Sequence, residues 1–291
     1  MIKKMGLTAA FVLALVTPAY PADDHSQAKS GSSIVYAAKY KGVEEIKKCI
    51  AAGADVNELS ENGRSALIEA AVREDTESVK LLLDSGADVK LRDRSGETVL
   101  MLAVFKGNME IIKMLVEKGA DVNAKDNDNE TALINSINFR ENIEVIEYLL
   151  AKGAEINAKD NFGQTALSVA AGEGISTITR LLVEKGADIN HRDNKGVTPL
   201  MRAAGNQKEE TLLILLGKLA GKDIDARDNN GKTALLYAIE DGFTAGVKAL
   251  LAQKADPNAA DSSGQTALQY AEIRAKDNAG IIDLLKTAGA K

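Results

Sequence analysis

Residues 160–192 read DNFGQTALSVAAGEGISTITRLLVEKGADINHR. Asp160, Asn161 and Gly163 are turn formers, and Gly163 can take a positive φ at no steric cost. Thr165 then stands where a hydroxyl caps a following helix. Leu167, Ala170 and Ala171 give that helix a narrow apolar face whose small side chains let a neighbour approach closely, and Gly172-Glu173-Gly174 breaks it. A second helix is predicted from about Ser176, with Ile178, Leu181 and Leu182 at helical spacing and Gly186 as a left-handed cap. One such stretch is therefore two antiparallel helices and a projecting turn.

The same stretch recurs along the chain. Thr131-Ala132-Leu133, Thr165-Ala166-Leu167, Thr198-Pro199-Leu200, Thr233-Ala234-Leu235 and Thr266-Ala267-Leu268 follow one another at 33 to 35 residues, with looser copies at Ser65-Ala66-Leu67 and Thr98-Val99-Leu100. Pro199 directly after Thr198 fits a helix start, where a missing N–H costs nothing. A second block keeps a constant offset: Gly53-Ala54-Asp55-Val56-Asn57, Gly119-Ala120-Asp121-Val122-Asn123 and Gly186-Ala187-Asp188-Ile189-Asn190 are three of its copies. A single unit buries too little surface to stand alone, so stacking is obligatory.

The period and both blocks resemble the ankyrin repeat over about residues 33–291. The resemblance implies an all-α solenoid of stacked helix pairs with projecting β-turns, in eight units: 33–59, 60–92, 93–125, 126–159, 160–192, 193–227, 228–260 and 261–291. The first unit lacks the turn and is wetted by Lys39, Lys41, Lys47 and Lys48; the last is interrupted by Glu272, Arg274, Lys276 and Asp277, so both read as caps. The family's usual His after Thr-Pro-Leu is replaced in every unit, by Met101, Ile134, Ser168 and Met201 among others, which predicts a looser stack. Further departures are an extra residue near Arg140, two around residues 217–221, and Lys254 in place of a cap glycine.

The N-terminus reads as an export signal over residues 1–22. Lys3 and Lys4 precede an eleven-residue apolar run from Gly6 to Val16, and Thr17-Pro18-Ala19-Tyr20-Pro21-Ala22 ends it. Cleavage after Ala19 places small residues at both preferred positions, whereas cleavage after Ala22 puts Tyr20 at one of them. Residues 23–32 read as a polar leader. A periplasmic or secreted protein is expected, with no membrane insertion after cleavage. The formal charge of −6 becomes −8 once Lys3 and Lys4 leave, which argues against nucleic acid and anionic membranes as partners.

The residues needed for familiar chemistries are missing. His25 lies in the leader and His191 in a turn, so the repeats hold no pair of histidines; the one cysteine, Cys49, occupies the place of Leu82, Leu115, Leu149 and Leu181 and reads as a small buried hydrophobe. Gly231-Lys232-Thr233 imitates part of a phosphate loop but repeats the turn pattern of Gly163-Gln164-Thr165. Asp121, Asp126 and Asp128, with Asn127 and Asn129, resemble a calcium loop whose glycine and distal glutamate are out of register. No catalytic residue, metal or cofactor is expected.

What the resemblance implies instead is a protein partner along the concave surface of turn tips and first helices, bound by a monomer. Recognition then falls to positions that vary between units. At the turns these are Arg64, Arg94, Glu97, Phe162, Gln164, Lys195, Val197 and Lys232. The ends of the first helices add Lys39, Tyr40, Val72, Arg73, Phe105 and Lys106, and further along Asn138, Phe139, Glu173, Asn206 and Glu240. Phe105, Phe139 and Phe162 are read as an apolar anchor rimmed by Arg73, Arg94 and Lys195. An adaptor in the bacterial periplasm is the leading reading, an exported effector or inhibitor the alternative, and an enzyme built on groove carboxylates such as Glu97 or Glu173 the third.

Overall fold

In the computed structural model, which describes residues 33–137, 142–219, 223–273 and 279–291, the quoted stretch folds as two helices after a turn. Thr165 accepts the backbone N–H of Ser168 and opens a helix over Ala166–Glu173; Gly174 closes it in the left-handed conformation. The second helix spans Ser176–Glu184, and Gly186 follows at φ +89°. Gly163 sits at φ +76°.

Sixteen helices occupy the described residues, and no strands. The first members of the pairs are α1 (Ile34–Tyr40), α3 (Ala66–Val72), α5 (Val99–Lys106), α7 (Ala132–Asn135), α9 (Ala166–Glu173), α11 (Pro199–Gly205), α13 (Ala234–Glu240) and α15 (Ala267–Ile273). The second members are α2 (Val43–Ala51), α4 (Thr76–Asp84), α6 (Met109–Glu117), α8 (Ile143–Ala151), α10 (Ser176–Glu184), α12 (Glu209–Lys218), α14 (Thr244–Ala252) and α16 (Ala279–Thr287). Each first helix packs on its own partner and on the first helix of the next pair, so the core is one continuous apolar stripe. The expected capping hydroxyl is in place at Ser65, Thr98, Thr131, Thr165, Thr198 and Thr233.

The small first-helix residues pack as their size predicts: Ala70, Ala71, Ala103, Ala170, Ala171, Ala203, Ala204 and Ala238 are all fully buried, which permits close helix approach. Cys49 is buried among them as a small hydrophobe. Its equivalent in α10 is Leu182, fully buried, and not the half-buried Leu181 named from the sequence; the error is one residue of register.

The missing histidines are partly made up for by other groups. At the helix position they would occupy, the sulfurs of Met101 and Met201 accept the N–H of Thr98 and Thr198, and the side-chain oxygen of Gln269 accepts that of Thr266. Bonding between units runs instead through asparagine. Asn57, Asn123 and Asn157 each accept a backbone N–H of the next unit, from Asp88, Glu155 and Asp188 at 2.8–2.9 Å. His191, buried at the end of its unit, reaches back within that unit, from Nε2 to the carbonyl of Gly163 at 2.6 Å. Lys254 holds the left-handed conformation at φ +67° where other units have glycine. The export signal, the leader, Arg140, Gly221, Arg274, Lys276 and Asp277 lie outside the described residues.

Candidate partner-binding surface

Each turn from residue 93 on is organised by one acid, whereas the turn before them uses Ser60, whose hydroxyl accepts the backbone N–H of Arg64. Asp93, Asp126, Asp160, Asp193, Asp228 and Asp261 use Oδ1 to accept the backbone N–H groups two and four residues on, at 2.7–3.1 Å. This is the local bonding that makes Asp a turn former. It is also why Asp126 and Asp128 belong to a turn: Asp126 accepts from Asp128 and Glu130. Among the described residues no group of three or more His, Cys, Asp or Glu side chains is placed to hold a metal ion.

Successive turns are joined by their backbones. Asn127, Asn161, Asn194 and Asn229 each donate their backbone N–H to a carbonyl of the preceding turn, at 2.8–3.0 Å. Their side-chain amides donate to a second carbonyl of that turn, on Arg94, Asn127, Asn161 and Asn194 respectively. The turns therefore form a ladder with a fixed spacing, and side chains leaving it at equivalent positions line up from unit to unit.

The outer oxygen of each acid distinguishes the units. Asp93 meets Arg64 Nε at 3.5 Å, Asp160 the amide of Gln164 at 3.1 Å, and Asp193 the guanidinium of Arg202 at 2.5 Å. Asp228 and Asp261 each accept from a tyrosine nine residues on, Tyr237 and Tyr270, both at 2.8 Å. Asp126 has no side-chain partner of this kind among the described residues. The column four residues after the turn acid reads Glu97, Glu130, Gln164, Val197, Lys232 and Gln265, so two glutamates stand side by side in consecutive turns. Burial raises the carboxyl of Glu97 to about 7, helped by Asp93; burial and Asp126 raise that of Glu130 to about 7.

The residues predicted for recognition divide into three groups. Phe162 is 63% exposed, Tyr40 47% and Phe105 43%, and Arg73, Arg94, Lys195 and Asn206 also face solvent. Some of these have structural bonds as well: Arg73 donates to the carbonyl of Lys39, Asn206 to that of Gly172, and the rings of Tyr36 and Tyr40 lie 4.9 Å apart. The second group is half-buried and engaged in the ladder. Arg64 lies between Glu69 and Asp93, the backbone N–H of Glu97 is held by its turn acid, Lys232 is 2.6 Å from Glu240, and Val197 packs against the core. Lys39, Val72, Lys106 and Glu173 are half-buried too.

Gln164 alone departs from the expected exposure. It is 8% exposed because its amide turns inward to Asp160, so its side chain organises the turn. Asn138 and Phe139 lie outside the described residues, and the aromatic anchor is described at Phe105 and Phe162 only. The sequence reading takes Glu130 only as part of the calcium-like run and not as a recognition residue, although it shares a column with Glu97. It also passed over Arg202, Tyr237 and Tyr270, whose signal was their constant nine-residue distance from an aspartate.

A family model for ankyrin repeats, built of three copies, matches overlapping segments at residues 6–93, 34–126, 76–160, 133–228 and 200–291. Among curated proteins none matches the chain.

Proposed function

Because the chain belongs to the ankyrin repeat family, whose members are generally protein–protein interaction modules, we propose that it is a non-catalytic adaptor of the bacterial periplasm that binds a protein partner along its concave face. The observation that carries this reading is Phe162. Its ring is mostly exposed on a turn whose backbone is fully bonded to its neighbours, so neither the turn nor the core requires it. Exposed aromatics on a rigid scaffold are the side chains that lose least entropy on binding and supply most interface energy. Phe105, Arg73, Arg94 and Lys195 extend the surface on the units around it.

Two measurements test the reading. Fusing residues 1–22 to a reporter asks whether the segment exports it and where it is cut; retention in the cytoplasm overturns the periplasmic assignment. Capture from periplasmic extract with the wild-type chain and with Phe105→Ala/Phe162→Ala asks whether this face binds. A retained protein whose affinity falls on the order of tenfold or more in the variant supports the proposal. Equal retention by both, with equal helicity by circular dichroism, places the interface elsewhere.

A further inference from the structure

We propose that Glu97 and Glu130, on consecutive turns, form a proton-operated charge switch that neutralises the middle of the turn face and tightens the stack as pH falls.

The geometry is a run of acids on consecutive turns with Arg64 at its edge. The backbone N–H of Glu97 is bonded to Asp93 at 3.1 Å and that of Glu130 to Asp126 at 2.9 Å, so each glutamate leaves the same place in its turn, and the turns are stacked by the ladder described above. Both are half-buried. The charged groups that act on Glu97 are Asp93 in its own turn, Asp126 in the next and Arg64 in the one before. Those that act on Glu130 are Asp126 and Asp128 in its own turn, Asp160 in the next and Glu97 in the one before. Arg64 is shared with Glu69 and Asp93, the guanidinium of Arg92 donates to the carbonyls of Gly96 and Lys125, and Arg202, further along, is committed to Asp193. Four carboxylates outside the pair, Asp93, Asp126, Asp128 and Asp160, therefore bear on it, and of the guanidinium groups Arg64 acts on Glu97 alone.

Burial removes hydration from both carboxylates, and the neighbouring acids add repulsion, so each is lifted from the ordinary glutamate value to about 7. The folded chain then keeps protons that the unfolded chain has already released. Stability is fully present below the ordinary glutamate range, is lost as pH rises through about 7, and levels off above it. Asp126 and Asp160 are also pushed up by burial and act with the same sign at lower pH. Because the charge of Glu97 also raises Glu130, the two titrations are linked, and the later proton leaves against the charge created by the earlier. The face consequently changes by as much as two charges near neutrality, whether or not a partner is bound.

Side-chain carboxyl carbons of the full-length protein are titrated by NMR, with Glu97→Gln and Glu130→Gln used for assignment. Two glutamates should titrate about two pH units above the rest; ordinary midpoints for all of them overturn the proposal. Urea unfolding between pH 5 and 8 supplies the linked readout: the unfolding constant of the wild type should rise roughly tenfold or more. The double glutamine variant should lose most of that rise, and a rise that survives in it overturns the proposal. If the variants fail to fold, the two high midpoints in the wild type decide the matter alone.

Discussion

A β-carbon added at Gly163 would lie 2.5 Å from Asn194 Oδ1 and 2.8 Å from Asn194 N, the backbone atom that joins the two turns. The position also holds φ +76°. Both terms oppose a side chain, so Gly163→Ala should cost about 2–3 kcal/mol in urea unfolding, more than the one or so expected from backbone strain alone. Lys254 is the opposite case, an exposed side chain kept at φ +67°; Lys254→Gly should be neutral to stabilising, by up to about 1 kcal/mol. A loss of stability there would mean that Lys254 makes a contact worth more than its strain. Both positions were legible in the sequence, because a turn between Asp160 and Thr165 needs a positive φ and a missing cap glycine shows as a gap in a column. Why Gly163 is doubly constrained was not legible, since the approach of Asn194 depends on how tightly two units stack.

At the scale of the element, the helix starts were the most readable feature, and the turn interiors the least. A hydroxyl directly before an alternation of Ala and Leu admits one role, and Thr165 performs it, accepting from Ser168 N at 3.3 Å with no exposure of its own. Thr165→Ala should therefore cost about 1–2 kcal/mol and lower the thermal midpoint, since the freed N–H is buried; Thr165→Ser should restore most of the loss. The turns were harder because the side chains after the acid can go either way. Gln164, four residues on, folds in, since its amide complements a carboxylate, whereas Phe162, two residues on, stays out. A column of equivalent positions shows that these residues vary, but charge pairing across units decides which of them remain free. That pairing joins residues about 30 positions apart, as with Arg64 and Asp93, and single-unit reasoning does not reach it.

For the whole molecule, stability is a sum of unit and interface terms, so the place of a defect determines how the chain unfolds. The centre of the stack is its thinnest point: α7 has four residues where the other first helices have seven or eight. The extra residue near Arg140 hinted at an irregularity in this unit, though not at a shortened helix. Leu149 in α8 and Ile281 in α16 are both fully buried, and truncating either to alanine removes comparable apolar volume, at about 2–5 kcal/mol in a core that cannot collapse. The consequences should differ. Ile281→Ala weakens only a terminal pair, which frays while the rest holds, so faster hydrogen exchange should stay within about residues 267–291. Leu149→Ala weakens the joint between two halves that each retain several stacked pairs. One half can then unfold without the other, and the urea transition should broaden or split, with exchange quickened on one whole side of residue 149. Exchange confined to α7 and α8 in that variant would show that the halves remain coupled, through the asparagine ladder of the turns rather than through the helices.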